Sequence, residues 1–413
     1  MRETELLIPA GSLDVLKTAV IYGADAVYLG GEAFSLRAKA RNFTNDEIRE
    51  GIAFAHEHGV KVYITANILA HNEDLPGVEA YFEELKEIHP DALIISDPGV
   101  FAIARRVLPD MELHISTQAN NTNYGTYLFW HQMGAKRVVS ARELSLKEIR
   151  EIRDRIPEDM EIESFIHGAM CISYSGRCLL SNYFTQGDRD SNRGECVQCC
   201  RFKYNVVEEK RPGQYFPVVE DERGTYIFNS KDLCLLPYLP DLYNAGLSSL
   251  KIEGRMKSIH YVATVTKVYR EALDAYEADP EHFTVRQEWL DELEKISHRP
   301  YTRGFSVSRP TEADQVYSES SNTQTHDFIG LVRSYDTEKG IAWIEQRNHF
   351  KVGQTVEFLQ PKGHLVRCTI SSIISEEGEA LDAARHPRQL VGLAISEALE
   401  PYSMMRRQVE DHA

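Results

Sequence analysis

No uninterrupted apolar stretch in the 413 residues approaches the roughly 20 needed to cross a bilayer, so no membrane-spanning helix is expected. Met1-Arg2-Glu3-Thr4-Glu5 runs straight into a strand-like segment, without the long apolar region of a signal peptide. Positive charge is also short: 46 Lys and Arg face 63 Asp and Glu, a formal net charge of -17. That excludes a broadly basic protein that coats nucleic acid, though not a local basic site on an acidic body. A Gly-rich dinucleotide turn is missing after the first predicted strand, which counts against a doubly wound open sheet. Also missing are His-Glu-x-x-His, Gly-x-Ser-x-Gly and any local cysteine-protease signature. Disorder is excluded as well, since 42% hydrophobic and 26% charged residues is ordinary globular composition. The cytoplasm is the expected address, with no membrane partner.

What the sequence does have is a repeated rhythm. Strands are predicted at Leu6–Ala10, Ala26–Gly30, Lys61–Ala66, Ala92–Ser96, Leu113–Thr117, Arg137–Ala141, Glu161–Ile166 and Ser249–Glu253, with amphipathic helical runs between them. Ser12 is placed as the N-cap of the first helix. Eight strand-then-helix units fit an α/β fold of the (β/α)8, TIM-like barrel type, which needs roughly 250 residues. The barrel is expected over residues 1–305, with a Cys-rich insertion at about 169–234 after strand seven. That insertion leaves the face where such barrels keep their chemistry. Residues 306–327 read as a linker, 328–401 as a small antiparallel β-barrel and 402–413 as a tail.

Cysteine placement is more informative than cysteine number. Of seven, Cys171, Cys178, Cys196, Cys199 and Cys200 fall within 30 residues, Cys234 follows, and Cys368 stands apart. In a large protein expected in the cytoplasm, such a cluster reads as metal binding or redox chemistry before disulfides. Thiolates suit zinc or an iron–sulfur cluster. Six residues between Cys171 and Cys178 depart from the two-residue spacing of zinc knuckles and favour a cluster held between loops. Buried, unligated cysteines are the plain alternative.

Several polar residues fall at predicted C-terminal strand ends: Asn67, Gln118, Arg142, His167 and Glu253. His167 and Glu253 are the candidates for proton transfer. Each alone is as simply a surface or capping group; their joint placement on one rim favours a site. The loop after strand two carries Arg37, Lys39 and Arg41, and Arg255 follows strand eight. Guanidinium forks at Arg37, Arg41 and Arg255 match a dicarboxylate or a phosphate. Between Cys171 and Lys203, five cations face three acids, a local positive excess that phosphate contacts require. Tyr174, Tyr183, Phe184 and Phe202 are able to stack an unpaired base, although packing is the commoner role.

The segment Glu163-Ser-Phe165-Ile-His167-Gly168-Ala-Met-Cys171-Ile-Ser-Tyr-Ser-Gly176-Arg-Cys178 resembles the signature of the U32 family. That family was long labelled collagenase-like peptidases and has since been associated with hydroxylation. Leu7-Ile8-Pro9-Ala10-Gly11-Ser12, Asn192-Arg193-Gly194, Ser230-Lys231-Asp232-Leu233-Cys234 and Lys251-Ile252-Glu253-Gly254-Arg255-Met256-Lys257-Ser258 look like further family blocks. The resemblance covers essentially the whole chain. It implies a [4Fe–4S] cluster on Cys171, Cys178 and Cys234, with Cys196 favoured as fourth ligand and Cys200 or Cys199 as alternatives. The most similar branch installs 5-hydroxyuridine at the wobble position of tRNA in a reaction linked to prephenate. The anticodon loop of tRNA and prephenate, a small dicarboxylate, are therefore the expected partners. Other readings stay open: a U32-type peptidase, hydroxylation of a ribosomal RNA cytidine, a role in ubiquinone synthesis, or a non-enzymatic RNA-binding scaffold with a structural metal. A homo- or hetero-oligomer is compatible with all of them.

Overall fold

The computed structural model describes residues 4–31, 42–171, 173–201, 205–207, 215–217, 230–310, 314 and 323–409. The chain divides into two compact units. The first comprises Met1–Leu16, Asp25–Met256 and Arg299–Ser321; the second comprises Lys17–Ala24, Lys257–His298 and Asn322–Ala413. No helix among the described residues is long and apolar enough to cross a membrane.

The first unit contains the expected barrel. Strands β1 (Glu5–Pro9), β2 (Ala26–Leu29), β3 (Lys61–Ala66), β4 (Ala92–Ile95), β5 (Glu112–Ile115), β6 (Arg137–Val139) and β7 (Glu161–Ala169) pair in parallel and in chain order. An eighth strand, Ser249–Ile252, closes the ring by pairing with both β1 and β7: Leu250 lies opposite Leu6 and Lys251 opposite Phe165. Near-continuous burial along β1 to β4 reflects strands covered on both faces.

Helices α1 (Leu13–Ile21), α2 (Asn45–Glu57), α3 (Leu75–Ile88), α4 (Pro98–Val107), α5 (Tyr124–Gln132) and α6 (Leu146–Arg153) connect the strands. Local chemistry fixes their starts. Ser12 Oγ accepts from the Val15 N–H at 3.4 Å, as expected of a cap. Thr44 with Glu47, and Ser145 with Glu148, form reciprocal capping boxes at α2 and α6.

The barrel interior has an apolar part and a charged part. Leu7, Ala26, Tyr28, Tyr63, Ala92 and Ile94 form the apolar cluster. In the charged part, Arg137 donates to Glu5 at 2.6 Å, Glu161 at 2.7 Å and Glu163 at 3.3 Å. Tyr63 and Ser249 hydroxyls also donate to Glu5, at 2.5 and 2.7 Å, and Lys251 donates to Glu163 at 2.6 Å. Burial alone would raise the Glu5 pKa, but the Arg137 charge and the three donors outweigh it and hold the carboxyl below its ordinary value.

β7 runs past the ring. A short strand, Asp232–Cys234, pairs antiparallel with its end, placing Cys234 opposite His167, and Tyr301–Thr302 pairs in parallel with that strand. Arg299 clamps Asp232 through hydrogen bonds of 2.9 and 2.5 Å, both residues buried. Gly168 lies here at φ +110°, and a Cβ would come within 2.5 Å of the Glu253 carbonyl oxygen, so only glycine fits.

In the second unit, helices Ile259–Ala278 and Gln287–Leu293 accompany a curled antiparallel sheet. Its strand order is Val366–Thr369, Thr355–Leu359, Met404–Gln408, His326–Asp336, Ile341–Gln346, Leu390–Ala394, Ile373–Ile374 and Ala380–Leu381. Met404–Gln408 falls in the stretch expected as tail, yet it sits inside the sheet. Arg406 disguises it: the side chain is fully buried and neutralised by Glu357 at 2.8 Å and Glu292 at 2.5 Å.

Burial alone would raise the Glu357 pKa, but the Arg406 charge and hydrogen bonds from Lys295 and Arg367 hold it at about 2. A carboxyl depressed on folding contributes stability above its unfolded value and loses it as pH falls. The second unit should therefore lose stability between about pH 4.5 and 2. Glu357→Gln should be less stable at pH 7 and flatter across that window, as measured by urea unfolding at each pH.

Candidate functional site

At the C-terminal mouth of the barrel lies a cavity of about 200 Å³. Strand ends and the loops after them supply Thr65, Asn67, Ser116, Gln118, Arg142, Phe165, Lys251, Glu253 and Arg255. The Cys-rich insertion supplies Cys171, Cys178, Cys196, Cys199 and Cys200. Of the expected site residues, Asn67, Gln118, Arg142, Glu253 and Arg255 thus meet with five thiols around one space. Arg37 and Arg41 lie outside the described residues.

The insertion is fastened over this mouth. Gly176, at φ +71°, passes so near Gln118 that a Cβ would stand 2.7 Å from its carbonyl oxygen. Arg193 grips Asp74 with two hydrogen bonds of 2.9 and 3.0 Å, and the Leu69 N–H donates to the Asn192 carbonyl at 3.2 Å. Ser191 and Asn192 side chains both donate to the Cys178 carbonyl, at 2.7 and 3.0 Å. The Asn192-Arg193-Gly194 block is therefore the tether between the Cys-bearing loop and the barrel rim.

Electrostatically the mouth is cationic. Arg255 donates to Thr65 Oγ1 at 3.0 Å and to Asn42 Oδ1 at 3.4 Å. Arg142 donates to Ser175 Oγ at 3.3 Å, and its guanidinium carbon lies 4.0 Å from the Phe165 ring centre. With Lys251, three cations line the cavity beside one carboxylate, Glu253. An anionic small molecule is the natural complement.

Two expected residues stand apart from the lining. His167 is buried, with its ring 5.3 Å from that of Tyr301, and its carbonyl accepts the Glu253 N–H at 2.9 Å. The β7 register shifts against the eighth strand at this point, with His167 taking Ile252 as partner. Cys234 is buried on the short strand opposite His167. Among the described residues, no group of three or more Cys, His, Asp or Glu stands in ligating geometry. The donor set nevertheless suits a cluster in kind, because five soft sulfurs border one cavity. Burial pushes the Cys199 thiol up, and Cys196 and Cys178 nearby add to the shift.

Lys251 lines the cavity and donates to Glu163, a pair that strand-end reasoning did not single out. The signal was a lysine and a glutamate set at buried positions of barrel strands.

Comparison with known proteins fits this picture. The model of peptidase family U32 matches residues 11–316, and that of the U32 C-terminal domain matches residues 324–406. The chain belongs to the U32 peptidase family. It is 46% identical over 406 residues to tRNA hydroxylation protein P1 of Bacillus subtilis (strain 168), covering 98% of this chain and 95% of that protein. To tRNA hydroxylation protein P of Escherichia coli (strain K12) it is 39% identical over 452 residues, covering 98% and 97%. To the 23S rRNA 5-hydroxycytidine C2501 synthase of the same organism it is 38% identical over 338 residues, covering 79% of this chain and 48% of that protein.

Exposure ranks the cysteines for reaction. Cys171 and Cys196 are exposed, whereas Cys199 and Cys234 are buried. In metal-free protein, Cys171 and Cys196 should alkylate at least about tenfold faster than Cys199 and Cys234. Timed iodoacetamide labelling with peptide mass spectrometry would check this; equal rates would contradict it.

Proposed function

We propose that this protein is an RNA hydroxylase that converts the wobble uridine of tRNA to 5-hydroxyuridine, using an iron–sulfur cluster and prephenate. The observation that carries the reading is identity of 46% across 98% of this chain and 95% of a protein named for tRNA hydroxylation. The ribosomal alternative is less favoured, since the chain spans about half of the relative named as an rRNA hydroxycytidine synthase. A peptidase needs a nucleophile with a base in reach. Thiols line this cavity, but among the described residues no histidine does.

Cys171, Cys178 and Cys234, the three that the family resemblance implies, would hold the cluster with Cys196 as favoured fourth donor and Cys200 or Cys199, which also line the cavity, as alternatives. When bound, a cluster of this kind supplies electron transfer at a potential set by burial and hydrogen bonding. The chain's own residues then have distinct tasks. Arg142 and Arg255 bind the carboxylates of prephenate through guanidinium forks. Asn67 and Gln118 offer amides that can both donate to and accept from a uracil edge. Glu253 faces the cavity as proton acceptor, and His167 acts through it as a positioning residue, its carbonyl holding the Glu253 N–H. A base reaches such a site only when unstacked. Tyr174, which lines the cavity, and Tyr183 and Phe184 are exposed on the insertion and offer stacking surfaces.

Deleting the gene should remove 5-hydroxyuridine from digested tRNA, and the wild-type gene should restore it where Cys178→Ser or Arg255→Met does not. Nucleoside mass spectrometry is the readout. An unchanged nucleoside profile, with gelatin cleavage by the purified cluster-bearing protein, would favour the peptidase instead.

A further inference from the structure

Lys251 has no task in the reaction as proposed, and its setting is unusual for a lysine. It lies on the last barrel strand, lines the cavity, and is 4% exposed. Its ammonium sits 4.2 Å from the Tyr28 ring centre and 5.5 Å from that of Phe165. The fully buried Glu163 accepts its hydrogen bond at 2.6 Å. Burial pushes the lysine pKa below its ordinary value; Glu163 opposes that push, while Arg137 and Arg142 reinforce it. An ion pair that only braced the barrel would have no need to border open space. A desolvated amine beside a proton acceptor, with two guanidinium groups lining the same cavity, is equipped to add to a carbonyl.

The geometry points to Lys251 as an imine-forming residue for a small α-keto acid whose carboxylate Arg142 or Arg255 holds. The inference deepens the small-acid reading of the cavity and rests on it. Glu163 takes one proton from the ammonium, and the neutral Nζ attacks the carbonyl carbon. The carbonyl oxygen then leaves as water, carrying the proton returned by Glu163 and one from the nitrogen. A protonated C=N bond remains, with no change of oxidation state. Glu163 is thus a positioning and proton-holding group, itself anchored by Arg137 at 3.3 Å.

The test uses the full-length protein with α-ketoglutarate and sodium cyanoborohydride, followed by peptide mass spectrometry. The peptide bearing Lys251 should gain the mass of the acid less one oxygen, and succinate should slow the gain. Lys251→Arg should lose that adduct while keeping its unfolding midpoint, and Glu163→Gln should slow trapping by at least about tenfold. Succinate binding by calorimetry without an adduct on Lys251 would overturn the imine and leave the small-acid reading standing. Failure of both acids to bind would overturn both. Adducts spread evenly over surface lysines would overturn the assignment to Lys251.

Discussion

The interaction on which the barrel depends is the grip of Arg137 on three carboxylates. Its guanidinium reaches Glu5 on β1, Glu161 beside it in register and Glu163 on β7, while Lys251 of the eighth strand reaches Glu163 from the other side. Strands β6, β7, β1 and the closing strand are thereby tied together in the part of the ring that joins the chain's beginning to residues about 250 positions later. Buried charge is costly to desolvate, and such a network holds only if its members are satisfied together. Each partner makes at least one hydrogen bond of 2.7 Å or less here. The same network fixes Lys251 at the floor of the mouth, so structural support and chemical equipment share one set of side chains.

Much of the barrel was legible in the sequence because its signal is redundant. Eight apolar strand runs alternate with amphipathic helices, and capping residues such as Ser145 mark where helices start. Asn67, Gln118, Arg142, Glu253 and Arg255 were legible for a related reason: this fold presents whatever follows a strand at one rim. What escaped depends on pairings that no local pattern encodes. Glu163 and Lys251 are 88 residues apart and meet only through ring closure. Met404–Gln408 reads as polar until Glu357 and Glu292 are seen to cover Arg406. His167 leaves the cavity lining where the register shifts, a shift that strand alternation alone does not announce.

The mouth combines two kinds of equipment on one scaffold. Rim residues from the barrel give it cations and amides, and the insertion gives it thiols. The tether through Asn192 and Arg193 brings the second to the first. Among the described residues the cavity lining holds thiols and one carboxylate but no histidine. In the proposed function, a charged small acid, a redox-active group and an unstacked base are assigned to separate residues of this mouth.

Equilibrium urea unfolding of Arg137→Met against wild type, at neutral pH, tests the dependence of the barrel on its buried charges most directly. Removing the cation leaves Glu5 with hydroxyl donors but no opposite charge and Glu163 with Lys251 alone, and the account predicts a loss of about 3–5 kcal/mol. A change within about 0.5 kcal/mol, the range of an ordinary surface substitution, would contradict it.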